Sequence, residues 1–231
     1  MIKLALVGKN ISHSKSKEIY EKILDKKIDY SLFDFSKPES IPLIEDLMTN
    51  LDGLSITSPY KDHFLDQVEI VPELFKLGAI NCIKKVGTKF YGTNTDYFAV
   101  EQILKNYLNE FDKIYVLLLG NGLMAKMSLL ILKRLGVSFK QFTRNEYDFN
   151  FLNLIEYTKD IDSEIKIIVV NACSREFCFK GELDQSYLFW DYNYALNHHQ
   201  ETIVNQVFRY DDGMELLRIQ GLLALKYWKL F

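Results

Sequence analysis

Six consecutive residues, Gly120-Asn121-Gly122-Leu123-Met124-Ala125, have the types and spacing of a turn that holds a pyrophosphate, G-x-G-x-x-A. The turn follows an apolar run and opens a helical one, which is where such a turn can work. Its first glycine permits a tight bend, and its second lets phosphate oxygens approach the backbone. The alanine lets the helix pack close to the strand, and the helix N-terminus offers unpaired N–H groups to the anion. Two glycines alone are also compatible with a ligand-free turn. The next strand ends on Thr143-Arg144-Asn145, with no acid before Glu146. An acid at that point would suit the free ribose 2′-hydroxyl of NAD; a guanidinium suits a 2′-phosphate. NADP(H) is therefore the favoured cofactor, with a solvated surface arginine as the alternative.

Four earlier segments also bring reactive types together: Ser12-His13-Ser14-Lys15-Ser16, Thr57-Ser58-Pro59-Tyr60-Lys61, Gly78-Ala79-Ile80-Asn81 and Gly92-Thr93-Asn94-Thr95-Asp96. Singly, each is compatible with ordinary turn chemistry. Ser14 and Ser16 fall at the start of a helical run, where hydroxyls and the helix dipole favour a carboxylate, although helix capping explains them equally well.

The elements that must position these residues alternate between strand and helix. Lys3–Gly8 reads as a buried strand, Ser14–Lys27 as an amphipathic helix, Asp29–Phe35 as a strand, Ile41–Met48 as a helix and Leu54–Thr57 as a strand. Helical turns are expected at Asp62–Glu69, strands at Ala79–Val86 and Phe90–Thr95, and a connecting helix at Tyr97–Asn109. A second series follows: strand Lys113–Leu119, helix Gly122–Leu135, then strands Val137–Thr143, Ile165–Val170 and Tyr187–Tyr194, and a last helical run, Gly213–Leu230. Lys113–Leu119 is almost uninterruptedly apolar, as a parallel strand covered on both faces should be. The pattern is α/β, in two lobes joined near Asp96–Tyr97.

At 231 residues, 48% of them hydrophobic, the chain can bury a substantial core. A net charge of -3 with scattered lysines gives no basic field for nucleic acid. No apolar run reaches 18 residues, and no signal-peptide pattern opens the chain, so a cytoplasmic setting without membrane contact is expected. Cys82, Cys173 and Cys178 read as buried, reduced thiols. Neither the four-residue gap between Cys173 and Cys178 nor His198-His199, read as a solvated loop, has zinc-site spacing, and no metal is expected. His13 reads as structural.

Taken in order, these segments resemble the shikimate dehydrogenase family along nearly the whole chain. Gly120–Ala125 matches its cofactor turn, and Thr143-Arg144-Asn145 aligns with its Asn-Arg-Thr phosphate clamp. Gly213-Met214-Glu215-Leu216-Leu217-Arg218-Ile219-Gln220 matches its Gly-x-x-Met-Leu-x-x-Gln segment. The resemblance implies an N-terminal α/β substrate lobe (1–96 with 213–231) and a Rossmann-like NADP-binding lobe (97–212), the C-terminal helix returning to the first. It also implies reversible, NADPH-dependent reduction of 3-dehydroshikimate to shikimate, by a monomer or homodimer. Lys61 becomes the group that offsets charge on the reacting oxygen and supplies its proton, and Asp96 the group that orients it. Ser14 and Ser16 would hold the substrate carboxylate, and Thr57, Asn81 and Gln220 the ring hydroxyls. Tyr194 would lie near carboxylate and nicotinamide, and Gly213 with Gly120, Asn121, Gly122, Leu123, Met124, Ala125, Thr143, Arg144 and Asn145 would contact the cofactor.

The chain departs from the family at Ser55 (commonly Asn), Asn10 (Pro), Leu123 (Gly) and Glu176 (Gly), and in the loop near Leu196–His199. It is also short for the family. A quinate/shikimate dehydrogenase of relaxed specificity, or a catalytically weak sensing relative, is the alternative.

Overall fold

The computed structural model describes residues 1–194 and 197–231, without the side chains of Glu73, Asn197 and His198. The chain divides into two compact units, Met1–Ala99 with Leu217–Phe231, and Val100–Leu216.

In the first unit, β1 (Lys3–Gly8), α1 (Ser16–Leu24), β2 (Asp29–Asp34), α2 (Ile44–Leu47) and β3 (Gly53–Ile56) come first. Then follow β4 (Glu69–Ile70), α3 (Pro72–Phe75), β5 (Cys82–Val86) and β6 (Lys89–Thr93). The sheet order is β2-β1-β3-β5-β6-β4, with β1 parallel to β2 and β3, and β5 antiparallel to β3 and β6. Successive β1 side chains leave opposite faces. Ala5 and Val7 join a core with Ile44, Met48 and Phe64, while Leu4 packs with Tyr20, Cys82 and Trp228. The Trp228 indole lies flat where a side chain on Gly53 would be: a Cβ there would come within 2.3 Å of the ring. Its Nε1 donates to the Ile83 carbonyl at 2.9 Å.

Helix α4 (Thr95–Phe111) carries the chain past the division at Ala99 and Val100. The second unit contains β7 (Ile114–Leu119), α5 (Leu123–Leu135), β8 (Ser138–Phe142), β9 (Lys166–Asn171), β10 (Leu188–Asp191), α6 (Asn197–Ile203) and β11 (Arg209–Asp211). Its sheet runs β11-β10-β9-β7-β8 with every paired strand parallel. β7, buried at all positions but Tyr115, accounts for the continuous apolar run. Helix α7 (Met214–Tyr227) crosses the second division, and its later residues belong to the first unit. The expected architecture is thus present: an α/β unit, a Rossmann-like parallel unit and a C-terminal helix returning to the first.

Several boundaries differ from the sequence reading. α1 begins at Ser16, not Ser14, because the Ser14 N–H is turned back onto the Ile11 carbonyl at 3.0 Å. Only Ile44–Leu47 of Ile41–Met48 is helical. Asp62–Glu69 forms turns and then enters β4, and β10 stops at Asp191 rather than Tyr194. β5 starts at Cys82 rather than Ala79, since the Ile80 N–H donates to the Lys61 carbonyl instead. α3, α6 and β11 were not anticipated. Cys82 is buried, but Cys173 and Cys178 are only half-buried. No helix among the described residues is long and apolar enough to cross a membrane.

Candidate active site

In the first unit, the turn after β3 and the start of α4 bring Lys61 and Asp96 together. The Tyr60 N–H donates to the Thr57 carbonyl at 3.0 Å, and the Ile80 N–H to the Lys61 carbonyl at 2.7 Å. The Tyr60 hydroxyl donates to the Phe35 carbonyl at 2.7 Å. Three bonds therefore fix the backbone around Lys61. Asp96 stands in the first turn of α4, where the helix dipole favours a carboxylate. Asn94 caps that helix by accepting the Tyr97 N–H at 3.1 Å, while its own amide donates to the Ala79 carbonyl at 3.0 Å. Lys61 Nζ donates to Asp96 Oδ2 at 2.7 Å, with side-chain exposures of 12% and 16%.

Asn81 and Gln220 converge on the same helix start, through Thr95. The Thr95 N–H donates to Asn81 Oδ1 at 2.7 Å, and Asn81 Nδ2 donates to Thr95 Oγ1 at 3.0 Å. Thr95 Oγ1 lies 3.3 Å from Gln220 Oε1, and Gln220 Nε2 donates to the Leu217 carbonyl at 3.2 Å. Both amides thus brace the residue next to Asp96, which the sequence does not announce. Thr57 follows β3 and presses its methyl against Gly8, and its N–H donates to the Val7 carbonyl at 2.9 Å.

Ser14 and Ser16 stand at the head of α1. Ser14 Oγ accepts the Ser16 N–H at 3.3 Å and donates to Ser16 Oγ at 3.2 Å, so the two hydroxyls are tied together at the head of α1, whose N-cap is Lys15. Ser55, at the position of a family asparagine, is buried and hydrogen-bonded to the Tyr20 hydroxyl at 3.0 Å. Burial pushes the Tyr20 phenol and the Cys82 thiol well above their ordinary ranges, and the Asp96 carboxylate adds to both shifts. Asp96 therefore acts electrostatically on the cluster behind the serines. His13 is exposed.

In the second unit, the turn Gly120–Ala125 links β7 to α5. Gly120 has φ +116°, a conformation that disfavours any side chain, and a Cβ there would come within 3.0 Å of the Ala172 carbonyl oxygen. Its carbonyl accepts from Gln141 Nε2 at 2.8 Å. Gly122 caps α5, and a Cβ there would meet nothing within 4 Å, so the helix N-terminus opens onto free space. Asn121 is exposed, Leu123 and Met124 are half-buried, and Ala125 is fully buried against the sheet. The sheet order reverses between β7 and β9, the place where open parallel sheets bind ligands at their carboxyl ends. These features fit a dinucleotide pyrophosphate.

Arg144 and Asn145 are exposed beyond β8 and line a cavity of about 910 Å³ with Ser174, Phe177 and Lys180. The Arg144 guanidinium lies 6.0 Å over the Phe177 ring. The Thr143 hydroxyl donates to Glu146 at 3.0 Å. Burial pushes the Cys173 thiol up to about 11, and Arg144 opposes the shift. The Arg175 guanidinium lies 5.3 Å over the half-buried Tyr194 ring. The Gly213 N–H donates to the Asn193 carbonyl at 2.8 Å.

Sequence reasoning missed a buried carboxylate behind the loop after β9. Asp191 Oδ1 accepts from Asn171 Nδ2, the Asn193 N–H and Asn193 Nδ2, at 3.1, 2.9 and 3.0 Å. Its Oδ2 receives the Tyr210 hydroxyl at 3.1 Å and His199 Nδ1 at 2.8 Å. His199 is fully buried rather than in a solvated loop. The His198 side chain and residue Leu196 lie outside the described residues.

The family model for the shikimate dehydrogenase substrate binding domain matches residues 6–83. A shikimate dehydrogenase (NADP(+)) of Clostridium perfringens is 29% identical over 185 residues, 73% of this chain and 67% of the relative. One of Clostridium beijerinckii is 34% identical over 137 residues, 57% of this chain and 51% of the relative. The solved shikimate dehydrogenase of Aquifex aeolicus superposes with a TM-score of 0.77 at 19% identity, covering 98% of this chain and 92% of that one. The family-model match lies over the segments that carry Ser14 and Lys61, and the chain is thus similar to the shikimate dehydrogenases in sequence there and in fold along nearly its whole length.

Proposed function

We propose that the protein is a shikimate dehydrogenase, which interconverts 3-dehydroshikimate and shikimate with NADP(H) as cofactor. The observation that carries this reading is the Lys61–Asp96 pair, 2.7 Å apart and largely withdrawn from water. The first unit takes the substrate and the second the cofactor. When bound, NADPH supplies the hydride. As charge builds on the substrate oxygen, the Lys61 ammonium offsets it and delivers a proton, and Asp96 holds the ammonium in line. In the reverse direction the pair takes the proton back. Ser14 and Ser16 would hold the carboxylate and Thr57, Asn81 and Gln220 the ring hydroxyls, while the resemblance assigns Tyr194 to the carboxylate and nicotinamide.

On the cofactor side, the open N-terminus of α5 would receive the pyrophosphate and Arg144 the 2′-phosphate. Three free cysteines suit a reducing cytoplasm. A small-molecule partner and a monomer or homodimer complete the reading.

The test is NADP reduction with shikimate, run against quinate and against NAD. Robust turnover with shikimate and NADP is expected, and its absence under saturating conditions would end the proposal. Cofactor choice has its own test. Arg144→Ala is expected to weaken NADPH binding tenfold or more, the loss of a charge-assisted bond worth about 1.5–3 kcal/mol, and to leave NADH nearly unchanged. Equal weakening of both, measured by fluorescence titration, would make Arg144 a structural residue instead.

A further inference from the structure

Gly120, the first residue of the turn after β7, is held twice by the edge strand β8. Its N–H donates to the Phe142 carbonyl at 2.9 Å, and its carbonyl accepts from Gln141 Nε2 at 2.8 Å. β7 ends at Leu119, so the Gly120 carbonyl lies beyond the strand ladder, and the half-buried side chain of Gln141 takes it instead.

That grip decides where the next N–H goes. The Gly120–Asn121 peptide is trans, so its C=O and N–H point in opposite directions. With the carbonyl turned to β8, the Asn121 N–H is turned away from β8, toward β9, the other neighbour of β7. The preceding residue fits this alternation, since the Leu119 carbonyl accepts the Ala172 N–H, just past β9, at 2.9 Å. The strand order reverses on that side of β7, where open parallel sheets take their ligands. Asn121 is exposed, and its N–H donates to no acceptor among the described residues. A peptide turned over at this point would set a carbonyl oxygen against the phosphate oxygens. Gly120, at φ +116° and without a side chain, does little by itself to prevent such a flip.

We propose that Gln141 is a positioning residue of the cofactor site, holding the Gly120–Asn121 peptide so that an N–H rather than a carbonyl meets the pyrophosphate. This rests on the reading of the second unit as an NADP(H) site. β8 then serves two phosphate groups of one cofactor. Arg144 binds the 2′-phosphate directly, and Gln141, on the same strand, acts on the pyrophosphate through the turn.

Gln141→Met keeps the bulk of the side chain and removes its donor. The Kd values of NADPH and NADH, from fluorescence titration, are each expected to rise about fivefold. The kcat at saturating cofactor and the KM for shikimate should stay within twofold of wild type. Adenosine 2′-monophosphate carries the 2′-phosphate and no pyrophosphate. Its inhibition constant against NADP should change less than twofold. An unchanged Kd for NADPH would overturn the assignment. So would an equal loss of adenosine 2′-monophosphate, which would give Gln141 a general part in shaping the unit. A loss confined to NADPH also overturns it, by placing Gln141 at the 2′-phosphate. Should the methionine variant not fold, Gln141→Asn, one methylene shorter, is read in its place with the same expectations. If wild type binds neither dinucleotide, the parent reading fails and this one fails with it. Wild-type binding with an indifferent variant sinks this proposal alone.

Discussion

Lys61→Ala is expected to lower kcat for shikimate oxidation by about 100-fold or more, the usual scale for loss of a positioned acid or electrostatic group. The reasoning starts from burial. Lys61 Nζ and Asp96 Oδ2 lie 2.7 Å apart at 12% and 16% exposure, so water does not readily replace the ammonium once it is gone. KM should change much less, because the proposed reading assigns the carboxylate and ring hydroxyls to other residues. Lys61→Arg should not restore turnover, since a planar guanidinium that does not deprotonate cannot exchange a proton with the substrate. Removing Lys61 also leaves the Asp96 carboxylate partly buried without its cation, so melting curves of the variant are needed beside the kinetics. Turnover within threefold of wild type, in a folded variant, would remove Lys61 from the chemistry.

The second large effect is on stability. Asp191→Ala is expected to destabilise the protein by about 3 kcal/mol or more, since each buried donor left without an acceptor costs about 1–3 kcal/mol, and the loss is read as a lowered urea midpoint. Asp191 is fully buried and takes hydrogen bonds from Asn171, Asn193, His199 and Tyr210. The histidine fixes the charge state of the pair. Its Nε2 accepts the Phe179 N–H at 3.0 Å, so its proton sits on Nδ1 and points at Asp191. The imidazole is therefore neutral and the carboxylate is held by dipoles rather than by a cation. Alanine would strand all of these donors at once. Burial pushes the Tyr210 phenol well up, with Asp191 adding to the push, so Tyr210 stays a donor throughout the working pH range. Asp191→Asn, which retains one oxygen acceptor, should fall between the two. A loss under 1 kcal/mol for the alanine variant would show that water enters and takes the place of the carboxylate.

The parts of this molecule that could be read from its sequence are those encoded locally. The run Ile114–Leu119 declares a strand covered on both faces, and Gly120 and Gly122 declare the bend after it. Lys61 and Asp96 could be named because each sits within a short recognisable segment. Asp191 could not be given its role, because its donors come from β9, the loop after β10, α6 and β11. α6, with the sequence Asn-His-His-Gln-Glu-Thr-Ile, has no apolar periodicity to betray it. β11 is three residues long and is recognisable only by its parallel pairing with β10. The early end of β10 and the late start of α1 reflect competition from loop hydrogen bonds, which propensity does not register.

The placement of Trp228 has a consequence for the order in which the chain matures. Its indole fills the slot over Gly53 and bonds to Ile83, yet it is synthesised after every residue of the second unit. A chain emerging from the ribosome therefore has the whole of Val100–Leu216 available while the first unit still lacks the wall that closes it. Leu4, Tyr20 and Cys82 wait for that wall, with apolar surface open to solvent, until the last turns of α7 arrive. The part of the protein made first is the part finished last.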